Sequence, residues 1–254
     1  MKILVFVLTF LLASFTSIAA QAPTDANAEF LKAVRDRDTS RVQSMLDADP
    51  SLANATTDKG RPVVTIALFT LVNNEAFIPA AKNQVLQLLL ARHPKLDLWQ
   101  TAALGAPAEL SKMLKSDQIN ALNDFGWAPL HMAAFGGNAA NVKLLLDRGA
   151  DMRLRAKTKF RNAPLMVAML TSDYETVKLL LDRGADVLER QGEGDTALHE
   201  AAANGDMPMV KLLIERESDL EARDNEGKSP LDYAVERKHD EVAAYLRLKD
   251  AKTK

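Results

Sequence analysis

The chain has 254 residues, with 32 Lys and Arg against 34 Asp and Glu, a formal charge of −2 and no cysteine. Lys and Arg are spread along the chain, so it lacks the concentrated basic footprint of a general nucleic-acid binder. Without thiols there is no disulfide, cysteine nucleophile, cysteine-type zinc site or lipid-anchored cysteine, and stability has to come from packing.

Met1 and Lys2 precede an apolar run from Ile3 to Phe15 broken only by Thr9 and Ser14, and small residues follow at Ser17, Ala19 and Ala20. A charged start, a short apolar core and a small-residue exit read as a secretory signal peptide over residues 1–20, cut after Ala19 or Ala20. The run is shorter than the ~20 residues a membrane span needs, and an uncleaved N-terminal anchor is the alternative. No later segment is long and apolar enough to span. A simple signal with no cysteine leans toward export across an inner membrane into a periplasm.

The mature chain, 21–254, reads as paired amphipathic helices. Residues 27–37 and 40–47 form a first pair, ending in Asp49-Pro50-Ser51. A second starts at Gly60-Arg61-Pro62-Val63-Val64 and resumes as an outer helix over 85–92. The stretch between is too long by roughly ten residues, centred on 71–81, and Pro79 argues against one continuous helix. It reads as an insertion at the turn or as lengthened helices. A short unit follows, with helices over 98–104 and 108–115. There Asp97 is aligned with Pro129, Gly105 with Gly137, and Trp99 with His131, which makes Trp99 a buried residue.

From residue 123 a phrase recurs. Ala128-Pro129-Leu130-His131-Met132-Ala133-Ala134 returns as Ala163-Pro164-Leu165-Met166-Val167-Ala168, as Thr196-Ala197-Leu198-His199-Glu200-Ala201-Ala202 and as Ser229-Pro230-Leu231-Asp232-Tyr233-Ala234. Its second position falls at 129, 164, 197 and 230, so the intervals are 35, 33 and 33. After each of the first three copies comes an outer helix, with Leu144-Leu145-Leu146, Leu179-Leu180-Leu181 or Leu212-Leu213-Ile214 at helical spacing. Gly149 and Gly184 follow the first two, where a left-handed residue ends a helix.

This pattern resembles the ankyrin repeat family, with Gly126, Gly194 and Gly227 two residues before the phrase. The resemblance implies an all-α solenoid of stacked helix-turn-helix units with short hairpin-like fingers, about seven repeats in a single domain. Their expected bounds are 25–56 (N-terminal cap), 57–97 with the insertion, 98–122 (degenerate), 123–157, 158–190, 191–223 and 224–254 (C-terminal cap). It also implies a structural role for His131 and His199, bridging backbone groups between loops, with Thr196 assisting His199.

No catalytic constellation stands beside either histidine. Four scattered histidines, without the H-x-x-x-H spacing, make no metal site, and His93 and His239 read as local hydrogen-bonding residues. Gly192-Glu193-Gly194-Asp195 and Asp224-Asn225-Glu226-Gly227 resemble fragments of phosphate or calcium loops but fall on finger tips, so they read as turns. Asp147, Asp182 and Glu215, each followed by Arg, read as solvated helix ends. No cofactor is expected.

The finger aromatics are candidate contacts. Phe125 and Trp127 flank Gly126. Phe160 lies in Lys157-Thr158-Lys159-Phe160-Arg161-Asn162, a finger two residues longer than its neighbours with Arg161 where glycine is usual. Aromatic and arginine side chains on a tip are typical binding hot spots, although packing on the neighbouring finger is the alternative. The expected function is therefore non-catalytic binding of a protein partner through a concave face of fingers and inner helices, by a monomer with no nucleic-acid or membrane role. Its candidate contacts are Phe125, Trp127, Lys157, Lys159, Phe160, Arg161, Glu193, Asp195, Asn225 and Lys228. The alternative is a small-ligand or cell-wall-fragment binder using residues 71–115.

Overall fold

The computed structural model describes residues 25–69, 71–72 and 76–253, and the stretch read as a signal peptide lies outside them. Fourteen α-helices account for most of the described residues, together with three 3-10 turns and one two-residue β ladder. In chain order the helices are α1 Asp25–Arg35, α2 Thr39–Ala48, α3 Val63–Leu68, α4 Gln84–Leu90, α5 Leu98–Leu104, α6 Pro107–Met113, α7 Pro129–Phe135, α8 Ala139–Asp147, α9 Pro164–Met169, α10 Tyr174–Asp182, α11 Ala197–Ala203, α12 Met207–Glu215, α13 Pro230–Glu236 and α14 Asp240–Thr253. They pair as inner and outer helices. Inner helices stack on inner ones (α5 on α7, then α9, α11 and α13) and outer on outer (α6, α8, α10, α12, α14).

Local chemistry sets both ends of each pair. Pro129, Pro164 and Pro230 stand in the first turn of their inner helices, where the missing N–H costs nothing. The outer helices start on Asp38, Asn83, Asn138, Asp173 and Asp206, whose side chains accept from the N–H of Arg41, Leu86, Asn141, Thr176 and Met209. Each such cap contributes about 1 kcal/mol. Burial then aligns the layers. Ala102, Ala133, Ala168 and Ala201 are fully buried on the inner row, as are Val142, Leu145, Val177, Leu180, Val210 and Leu213 on the outer row. Small residues let the inner helices approach closely: a Cβ on Gly136 would lie 2.3 Å from the Ala103 carbonyl oxygen.

Three left-handed backbone positions recur with the repeat. The finger tip is one, at Gly60, Gly126, Arg161, Gly194 and Gly227. The turn between the paired helices is another, at Arg37, Gly137, Ser172, Gly205 and Lys238. The end of the outer helix is the third, at His93, Gly149, Gly184 and Glu217. Arg161 (φ +51°) is the one non-glycine in the tip series, and its side chain is exposed. Replacing Arg161 with glycine is expected to raise stability by about 0.5–1 kcal/mol, because an L-residue pays a steric cost there. A higher urea midpoint at unchanged m-value would show it; a lower midpoint would mean that the arginine side chain supports folding.

The long second unit is an insertion and not a pair of lengthened helices. Helix α3 stops at Leu68, and β1 (Leu71–Val72) pairs antiparallel with β2 (Ala76–Phe77), Leu71 opposite Phe77. A 3-10 turn at Ala80–Lys82 leads to Asn83, which caps α4 and donates its amide to the Ala67 carbonyl at 2.7 Å.

The short unit corrects the expected alignment by one residue. Asp97 is the N-cap of α5 and closes a capping box with Gln100, so it matches Ala128, Thr196 and Ser229 rather than Pro129. Gln100, not Trp99, therefore takes the histidine position, and its amide donates to Thr65 Oγ1 at 2.7 Å. Trp99 is half-buried, its indole N–H directed at the Ala121 carbonyl. Gly105 has φ −82° at the end of α5, unlike the left-handed Gly137.

Candidate partner-binding face

Successive finger tips are joined by single backbone hydrogen bonds. Lys157 N–H donates to the Gly126 carbonyl (2.9 Å), Gly192 N–H to Phe160 (2.7 Å) and Asn225 N–H to Glu193 (3.1 Å). The tips from residue 126 to residue 225 thus form one continuous row. Arginines brace it from behind. Arg155 Nη1 donates to the carbonyls of Arg161 (3.1 Å) and Arg190 (3.0 Å). Arg190 does the same for Gly194 and Arg223, and Arg223 reaches Gly227. Arg155, Arg190 and Arg223 recur at the repeat interval, a signal that was available in the sequence.

The two phrase histidines tie each inner helix to the next finger. In the first, His131 Nδ1 accepts from the Ala128 N–H (3.2 Å) and Nε2–H donates to the Asn162 carbonyl (3.2 Å). His199 Nδ1 accepts from the Thr196 N–H (3.1 Å), lies 2.9 Å from Thr196 Oγ1, and Nε2–H donates to the Lys228 carbonyl (3.0 Å). An acceptor on Nδ1 and a donor on Nε2 require the neutral ring. Burial enforces this, lowering His131 to about 4 and His199 in the same direction.

Toward the C-terminal end the row carries acidic groups. Tyr233 hydroxyl donates to Asp224 Oδ2 (2.8 Å) and stands 3.2 Å from Asp195 Oδ1, while Gln191 Nε2 donates to Asp195 Oδ2 (2.9 Å). Burial raises the Asp195 carboxyl above its ordinary value, and burial followed by the nearby Asp195 charge raises Glu200. These groups lock two fingers to α13. Their shortest contacts are with one another inside the fold, which suits positioning. Among the described residues no cluster of three His, Asp or Glu has the geometry to hold a metal ion.

The expected contact residues divide into two sets. Lys157, Lys159, Arg161 and Asn225 are exposed on the row, and Phe125, Glu193 and Lys228 are half-buried there. Trp127 (6% exposed), Phe160 (4%) and Asp195 (2%) are not surface contacts. Trp127 packs edge-on against Phe69 and Phe135, with ring centroids 5.5 and 5.4 Å away, and Phe69 stacks on Phe135 at 4.8 Å. Phe125 completes this cluster 5.7 Å from Phe69, under the Arg61 guanidinium. Phe160 is folded inward beneath the Lys159 ammonium, 4.5 Å from its ring centre. Both rings are candidate contacts by their place at tips, with packing as the alternative; the structure packs them, since burying such large apolar area outweighs that placement.

The outer face is laced with ion pairs. Asp147 binds Lys143 on its own helix (2.6 Å) and Arg183 of the next repeat (2.9 Å), and Asp182 binds Lys178 and Arg216 in the same way. These exposed pairs contribute little individually.

No curated protein matches the chain. The family model for ankyrin repeats, written for three copies, matches residues 79–191 and 188–254. Ankyrin repeats are in general protein–protein interaction modules and typically non-catalytic. A match over well more than half of the length, on helix pairs whose fingers are bonded in a row, means that this chain belongs to the ankyrin repeat family.

Proposed function

We propose that this protein is an exported, non-catalytic binding module of bacterial type that occupies a protein partner in a periplasm. The reading of residues 1–20 as a signal peptide and the absence of cysteine support the location. The interaction role is carried by one observation: the tips from 126 to 225 are hydrogen-bonded in sequence and present Lys157, Lys159, Arg161, Glu193, Asn225 and Lys228 along one edge. A broad shallow edge suits a protein surface better than a small molecule, which needs a concave pocket with convergent polar groups.

The test is site-directed photo-crosslinking in envelope extract. A benzophenone side chain at Asn225, on the row, is expected to trap one dominant protein. The same group at Lys143, on the outer helix α8, is expected to trap none. Capture at Lys143 but not at Asn225 would move the site to the outer face. Capture at neither position by a folded sample would refute the interaction reading and favour a small ligand.

A further inference from the structure

The finger over residues 156–162 departs from its neighbours in three independent respects. It is longer, since the phrase interval across it is 35 residues against 33 for the next two. It places Arg161 at a left-handed tip position where the other fingers use glycine. It also exposes Lys157, Lys159 and Arg161 within five residues, all of one sign. Strain retained beneath an exposed charge is what a functional demand would leave behind, because glycine at Arg161 would remove the steric cost.

The charge balance of the row sharpens the point. Ion pairs along the row are Arg155–Glu189, Arg223–Asp232, Lys228–Glu226 and Lys228–Glu236, and neither Lys157 nor Arg161 enters any of these pairs. The Ala156 N–H to Asn162 carbonyl bond (2.9 Å) closes the hairpin, and the Lys157 N–H to Gly126 bond fixes it to the preceding tip. The cations therefore stand on braced backbone, which lowers the entropy lost on binding.

We propose that this finger docks an acidic peptide segment of the partner, carboxylates facing Lys157, Lys159 and Arg161. This rests on the interaction reading above. A polyphosphate is disfavoured, because following the row it meets Glu193 and then Glu226 on the next two tips. A short acidic stretch fits between them.

The experiment pans a random peptide display library against the purified protein and measures binding of a selected, fluorescein-labelled peptide. Selected sequences are expected to be acidic, and their affinity to fall with added salt. Reversing all three charges (Lys157→Glu, Lys159→Glu and Arg161→Glu) is expected to weaken binding by about tenfold or more. Arg161→Gly guards against a folding artefact: it is expected to raise the urea midpoint yet weaken the peptide about threefold. Neutral or basic selected peptides, or affinities indifferent to charge reversal, would overturn the proposal. So would a single-stranded oligonucleotide that bound more tightly than any peptide. If Asn225 crosslinks a partner while panning yields nothing acidic, only this inference falls and the interaction reading stands.

Discussion

Replacing Phe135 with alanine is expected to cost about 3–5 kcal/mol, the range for deleting a buried aromatic ring from a packed core. Phe135 is 1% exposed at the end of α7 and touches both Phe69 and Trp127. Phe69 follows α3, so this cluster fastens the second helix pair to the fourth across the short unit between them. In a stack held by neighbour-to-neighbour contacts, a weak joint separates cooperative blocks. The urea transition of the variant should therefore move to lower concentration and also broaden or split. A loss below about 1 kcal/mol with a single sharp transition would mean that the cavity collapses and the two ends are joined by other contacts.

His131→Met should produce a stability gap that depends on pH. Methionine already occupies the equivalent position at Met166, so the shape is tolerated in this fold. The substitution strands the Ala128 N–H and removes one of the two bonds to the Asn162 carbonyl, which keeps the Ala156 N–H, costing about 1–3 kcal/mol near neutrality. Titration then works against the native histidine. Its folded value lies near 4 against 6.5 for the free side chain. Between those values the unfolded chain binds more protons, so the stability due to the neutral ring is complete above the unfolded value and is lost as the pH falls toward the folded one. The loss approaches ~3 kcal/mol. Glu200, whose raised carboxyl acts in the opposite sense, is common to both proteins and cancels in the difference. The wild-type advantage should shrink or invert between about pH 8 and about pH 4.5, read from urea unfolding at each. A gap that stayed constant would assign the pH dependence to other groups.

Much of the fold could be read from residues 123–254, because each inner helix opens on the same phrase and glycines fall at left-handed positions with the same period. Where the phrase decays, reading failed for identifiable reasons. The short unit was aligned one residue out because it has no Pro-Leu-His landmark, although Asp97 and Gln100 carry a capping-box spacing that would have set it. The insertion was legible as extra length, and Pro79 argued against a single helix. Its hairpin was not legible, since two-residue strands leave no alternation to detect. At the candidate site, the charged tips follow from sequence position alone. The fate of Trp127 and Phe160 does not. One depends on Phe69, more than fifty residues earlier, and the other on a lysine folding over the ring. For Trp127, local position left exposure and packing both open, and contacts from distant residues decided for burial.

The end of α5 has a further consequence for the order in which the chain can mature. Its last carbonyls are satisfied by side chains that come later: Asn138 reaches Gly105 at 3.0 Å, and Asn141 reaches Thr101, Ala102 and Gly105 at 2.9–3.0 Å. As the polypeptide leaves the ribosome, α5 is therefore complete in sequence well before it is complete in bonding. It must wait, solvated, for α8 to emerge. Nascent chains halted before residue 138 should be open to proteolysis around residues 98–105, and chains halted beyond the end of α8 should be closed there.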